Sequence, residues 1–222
     1  MGRNLEKDAA EMAAKNQRIL EAGFAIFAKH GIDNVTMTDV ANGAGIGISS
    51  LYRYYKTKTE LVLAIGTWAW KSYLEQTGAI GNLEKKTRYA AENVAFFLDA
   101  FLDLYRNHKD LLRFNQFFNV YLQSERIPMK KTAAYQALIG SLEARFSQIY
   151  EKGQRDGSIR SDLSEGACFS TLLHLMLATV TRYAVGLVYM NTETDVEREL
   201  AVQRELLLGW LCGKDDEEVK IA

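Results

Sequence analysis

Apolar residues along this chain recur at helical spacing and almost nowhere in strict alternation. Ile19, Ala22, Gly23, Ile26, Phe27 and His30 form one stripe, and Gly31 stands where a helix ends on a left-handed residue. A second helix is predicted over about 37–44. Thr36 and Asp39 form its capping box, with Asp in place of Glu or Gln, and Gly45 lies just past its end. A third, over about 48–54, is capped by Gly47. Thr57 with Glu60 is a further capping box, so a fourth helix starts at Lys58 and carries Leu61, Ile65 and Trp68 on one face.

A loop around Gly78–Asn82 precedes a stripe over about 84–106 with Val94, Phe97, Phe101 and Tyr105. Another runs over about 109–123 with Leu112, Phe117, Phe118 and Tyr121. Pro128 suits the first turn of a helix reaching Asp156 before Gly157. Two more helices are predicted over about 164–189 and 194–212, the last opened by Thr194 with Glu197. The pattern predicts an all-α fold of nine helices: a three-helix head, residues 1–57, and a larger helical body, residues 58–222, joined by the fourth helix.

Hydrophobic residues make up 48% and charged residues 25% of the 222 positions, the composition of a globular chain. The net charge of −1 does not suit a nucleic-acid binder taken whole, so any basic footprint must be local. Residues 45–58 supply one, with Arg53, Lys56 and Lys58 and no carboxylate, whereas Asp215, Asp216, Glu217 and Glu218 pull the total down. Two cysteines, Cys168 and Cys212, make neither a disulfide framework nor a zinc site and fit a reducing cytoplasm. The start of the chain carries charges of both signs and does not read as a signal peptide. The most apolar run, Leu172 to Tyr189, is interrupted by His174, Thr179, Thr181 and Arg182, so no membrane span is expected. Glycine-rich phosphate loops, paired metal ligands and hydrolase elbows are not found, and Cys168 and His174 do not share a helix face. An enzyme, a cofactor and a metal are therefore not expected.

Candidate chemistry concentrates in residues 36–61. Two short helices separated by a glycine, the second rich in small polar, aromatic and basic side chains, read as a helix-turn-helix for a DNA major groove. Leu51 and Tyr55 are expected inward, with Ile48, Ser49, Ser50, Arg53 and Tyr54 exposed. Serine and arginine hydrogen-bond base edges, and Ile48 suits a thymine methyl. The same pattern also fits a pair of short helices in any α domain. Lys58 argues for DNA: a cation in a first turn opposes the helix dipole by roughly 0.3–1 kcal/mol, and a phosphate would satisfy both the ammonium and the free N–H groups of that helix start.

Residues 18–65 resemble the DNA-binding head of the tetracycline-repressor (TetR) family of bacterial regulators. The matching residues are Ile19-Leu20-Glu21-Ala22 with Phe27 and His30-Gly31, then Val35 to Ala41, then Ala44-Gly45-Ile46, then Leu51 to Tyr55 and Lys56 to Leu61. Gly43, Gly47 and Tyr55 depart from the family's usual residues. The resemblance implies DNA contacts at Thr38, Ser49, Ser50, Tyr52, Tyr54 and Lys58. It also implies a homodimer whose last two helices form a four-helix interface. Leu173, Leu177 and Val180 with Leu200, Leu207 and Trp210 offer apolar surface for it, or for a purely intrachain core. A small-molecule effector site among the middle helices is implied as well. Its candidate lining is Trp68, Phe97, Phe101, Phe114, Phe117, Tyr121 and His174, which suits an apolar or aromatic effector, although most such aromatics serve core packing. The function implied is a cytoplasmic, ligand-responsive repressor binding a palindromic double-stranded DNA operator. An activator or a regulator without a ligand, or a helical enzyme or lipid carrier whose head binds protein, stand as the alternatives.

Overall fold

The structure, a computed structural model, describes residues 2–76, 86–187, 189 and 193–213, with side chains from residue 7 onward. The loop expected around Gly78–Asn82, the first residues of the stripe over 84–106 and the acidic stretch 215–218 lie outside the described residues. Among those described there are nine α-helices and no strand. They are α1 Gly2–His30, α2 Met37–Gly43, α3 Ile48–Tyr54, α4 Lys58–Gln76 and α5 Ala90–Asn107. Then come α6 Lys109–Ser124, α7 Ala133–Asp156, α8 Glu165–Val185 and α9 Glu193–Cys212.

Local signals place most boundaries. Gly31 and Gly45 sit at φ +79° and +65°, which side chains other than glycine rarely adopt, and they close α1 and α2 as expected. Thr36 and Asp39 make the full capping box: the Asp39 N–H donates to Thr36 Oγ1 (3.2 Å) and the Thr36 N–H to Asp39 Oδ2 (2.8 Å). At α4 only half of the expected box forms. The Glu60 N–H donates to Thr57 Oγ1 (3.1 Å), but the Glu60 carboxylate accepts from the Lys56 N–H (2.8 Å). Pro128 caps the helical run that ends at Asp156, one residue before its first turn. Its ψ of 135° is extended, and a 3-10 turn, Met129–Thr132, precedes α7. Thr194 lies inside the first turn of α9 and does not open it.

The beginning of α1 carries no apolar stripe, which starts only at Ile19, and periodicity therefore does not reveal it. Asp8 to Lys15 are mostly strong helix formers, with four alanines and a Lys7–Glu11 pair one turn apart (3.9 Å).

The chain divides into two compact units, residues 1–72 with 113–136, and residues 73–112 with 137–222. The boundary expected at 57/58 falls inside the first unit. The core of that unit joins Ile19, Phe27, Val40, Leu51, Leu61 and Ile65 to Phe114, Phe118 and Tyr121 of α6. Asn115, also buried, accepts from Trp70 Nε1 (3.2 Å) and from the Tyr135 hydroxyl (3.2 Å), whose pKa burial pushes up to about 12.

In the second unit α5 packs against α8 and α9. Phe97, Phe101, Phe146 and Phe169 form an aromatic cluster with ring centroids 5.3–6.2 Å apart. The start of α5 is capped from a distant loop. Asp156 accepts from the Ala90 N–H (2.8 Å), and Ser158 Oγ accepts from the Ala91 N–H (3.3 Å). Bidentate pairs Arg106–Glu197 and Arg204–Asp99 tie α5 to α9. The apolar length of α8 would by composition alone suffice to cross a membrane. In this fold its Cys168, Phe169, Leu172, Met176 and Val180 row is buried, while His174 and Arg182 are exposed.

Candidate nucleic-acid interface

The turn between α2 and α3 sets the geometry of the candidate site. The Ile46 N–H donates to the Ala41 carbonyl (3.0 Å) and the Gly45 N–H to that of Asn42 (3.1 Å), a tight reversal around left-handed Gly45. Leu51, fully buried, anchors α3 to the core of the first unit. What remains outward is Ser49, Tyr52 and Arg53, with Thr38 exposed on α2. Tyr52 keeps 44% of its surface open to solvent.

Four other residues expected here are engaged differently. Ile48 is half-buried against the core. The Ser50 hydroxyl oxygen is enclosed and has no partner among the described residues. Tyr54 is half-buried, and its hydroxyl donates to the Met12 carbonyl of α1 across a long 3.5 Å. Beside it the Tyr55 hydroxyl donates to Asn16 Oδ1 (2.7 Å). The first turns of α1 thus brace α3, and Asp8, Glu11, Lys15 and Arg18 line a groove of 480 Å³ with Arg53 and Tyr54.

Lys58 is half-buried. Its ammonium donates to the Asp33 carbonyl (3.4 Å) and lies 5.7 Å from the centre of the Tyr121 ring, whose hydroxyl shares a 3.1 Å hydrogen bond with Thr59. Desolvation lowers its pKa, opposed by the charges of Asp33 and Glu125. The dipole conflict noted in the sequence is therefore offset within the fold.

Charge is segregated between the units. The first holds thirteen Lys and Arg against eight Asp and Glu, the second fourteen against twenty. A nearly neutral chain thereby gives its DNA-type helices a positive unit.

The residues expected to line an effector site do not come together within either unit. Phe114 and Tyr121 are buried in the core of the first unit, and Trp68 and Phe117 pack on it. Phe97 and Phe101 belong to the aromatic cluster of the second. His174 is exposed on α8, because the buried row there runs through Leu172, Met176 and Val180. The residues expected at a dimer interface are placed as follows. Val180 and Leu200 are fully buried in the protomer, and Leu173, Leu177, Leu207 and Trp210 partly so. Exposed apolar residues of these helices are Leu175 and Val185 on α8 and Val202 and Leu206 on α9, each more than half exposed. Val202 and Leu206 line a 660 Å³ apolar groove with Ala201, Gly209 and Trp210.

Among the described residues no three His, Cys, Asp or Glu side chains group to hold a metal. Cys168 and Cys212 are free, and burial pushes both thiols up, that of Cys212 to about 12, far from a reactive thiolate.

Residues 19–65 match the family model of bacterial regulatory proteins, tetR family. A helix-turn-helix-type transcriptional regulator of Staphylococcus aureus (strain USA300) is 39% identical over 57 residues, which are 26% of this chain and 29% of that protein. The chain thus matches less than a third of that relative's length. Among solved structures, a tetR-family bacterial regulatory protein from Rhodococcus RHA1 superposes with a TM-score of 0.69 at 20% identity, covering 90% of this chain and 98% of that one. The regulator FadR from Bacillus subtilis, in complex with stearoyl-CoA, gives 0.67 at 17% identity, covering 89% and 97%. AibR, in complex with isovaleryl coenzyme A and operator DNA, gives 0.65 at 13%, covering 89% and 98%. At these identities the likeness is one of fold.

Proposed function

We propose that the chain is a tetR-family protein, from the match of its head, residues 19–65, and that it is a cytoplasmic, ligand-responsive transcriptional repressor acting as a homodimer. The family and the neighbours named above are regulatory proteins, not enzymes. The observation that carries the reading is the outward face of α3, with Ser49, Tyr52 and Arg53 unburied beside Thr38 in a positively charged unit. Arg53 and Ser49 address base edges, while Tyr52 and Thr38 hold the backbone. Ile48, Ser50, Tyr54 and Lys58 stand behind them, reaching DNA only by leaving their present packing. On this reading residues 1–57 read the operator, and effector binding and dimerisation fall to residues 58–222.

Two heads would read a palindrome with half-sites one helical turn, roughly 34–36 Å, or a multiple of it apart. The surface that pairs the protomers is that of Leu175, Val185, Val202 and Leu206 on α8 and α9. An effector shifts the population toward a head spacing that no longer fits, by no more than its differential affinity for the two states. The aromatic cluster of the second unit favours an apolar or planar effector, and the acyl thioesters held by FadR and AibR show that chemistry in the same fold.

Selection of bound fragments from genomic DNA tests the reading. An enriched palindrome whose binding is lost on Tyr52→Ala is expected. No enrichment at low salt sinks the repressor and returns attention to the aromatic second unit.

A further inference from the structure

The first unit carries a basic segment outside its three-helix head. Residues 113–136 hold four Lys and Arg and a single carboxylate, Glu125, whereas residues 1–72 hold nine against seven. Most of the net positive charge of the unit therefore comes from its smaller part. Three of those four cations, Arg126, Lys130 and Lys131, lie within six residues on the turn from α6 into the 3-10 helix, and all are exposed. None of the three side chains has a hydrogen-bond or ion-pair partner among the described residues.

These cations stand on a shaped ridge. Arg126 adopts a left-handed φ of 49°, the Ile127 N–H donates to the Leu122 carbonyl (3.1 Å), and the Lys131 N–H donates to that of Pro128 (2.9 Å). Gln136 Nε2 adds bonds to the Met129 carbonyl (3.2 Å) and to Thr132 Oγ1 (2.7 Å). The ridge begins one helical turn beyond Tyr121, which packs against Lys58 and Thr59 at the start of α4. It therefore adjoins the edge of the head where Lys58 sits.

We propose that Arg126, Lys130 and Lys131 form a second phosphate-binding edge of the DNA interface, gripping the duplex backbone on the flank of the major groove read by α3. The proposal rests on the DNA-binding reading above. Three unpaired cations on an ordered turn near the start of α4 match a line of phosphates, and such contacts add affinity without adding sequence preference.

The test uses the palindrome enriched by the wild-type protein, once trimmed to its ends and once with about ten base pairs, roughly one helical turn, on either side. The variant is Arg126→Gly/Lys130→Gln/Lys131→Gln, in which glycine suits the left-handed backbone and keeps the turn. On the flanked duplex its plot of log K against log salt is expected to be flatter than wild type by at least about two units, at about 0.9 for each phosphate no longer neutralised. On the trimmed duplex variant and wild type are expected to agree. Arg155→Gln removes an exposed charge from the second unit and is expected to leave both plots unchanged. Equal slopes for the triple variant and wild type on the flanked duplex overturn the proposal, as does an equally large flattening on the trimmed one. If the wild-type protein binds no duplex at all at low salt, the DNA-binding reading falls and takes this edge with it.

Discussion

Asp39 shows how one side chain serves the head. The Thr36 hydroxyl and backbone N–H both donate to its carboxylate, and those hydrogen bonds hold its pKa below the usual 3.8. A depressed carboxylate binds its proton less readily folded than unfolded. Its contribution is therefore complete above pH 3.8 and is lost as pH falls through the lower folded value. Asp39→Asn should accordingly destabilise the protein at neutral pH and converge on wild type in acid. Urea denaturation at about pH 7 and about pH 3 reads the difference, and a gap that stays constant with pH would assign the effect to packing. This capping pair was plain in the sequence because both partners lie within one turn. Lys58 was half legible. Its conflict with the helix dipole showed, but its partners, the Asp33 carbonyl and the Tyr121 ring, lie 25 and 63 residues away and leave no local trace.

At the scale of elements, α4 and α6 pack closely within the core that also holds the helix-turn-helix. A Cβ placed on Gly66 would lie 2.7 Å from the ring of Phe118, which is fully buried and has nowhere to retreat. Gly66→Ala should therefore cost about 1–3 kcal/mol of overpacking, despite the better helix propensity of alanine. Pairing it with Phe118→Leu should recover part of that loss in a double-mutant cycle. Additive losses would show that the two positions do not press on each other. Neither residue announces this contact. By pattern alone Gly66 is a helix-weakening residue and Phe118 one more aromatic in an apolar stripe. Helices α2 and α3 were readable because caps and a turn glycine delimit them. The recruitment of α6 into the core of the head was not, since it depends on shape complementarity between segments far apart in the chain.

For the molecule as a whole, the outer face of α8 and α9 makes the sharpest demand. An isolated exposed leucine needs no explanation, but Val202 and Leu206, one turn apart on α9 and lining an apolar groove with Trp210, do. The family resemblance made both helices interface candidates; of the residues named there Val180 and Leu200 complete the protomer's own core, whereas Trp210 lines the outer groove. The two sets predict opposite behaviour. Leu206 is 66% exposed, so Leu206→Glu should leave the helical signal of the chain intact while light scattering at micromolar concentration changes from dimer to monomer. Leu200→Ala opens a cavity in the protomer and should lower stability by about 2–5 kcal/mol, with dimers still present below its melting point. If Leu206→Glu remains dimeric, the outer groove is not the interface. If it dissociates, two heads no longer act as one ligand for a palindrome, and operator affinity should fall toward that of a single half-site.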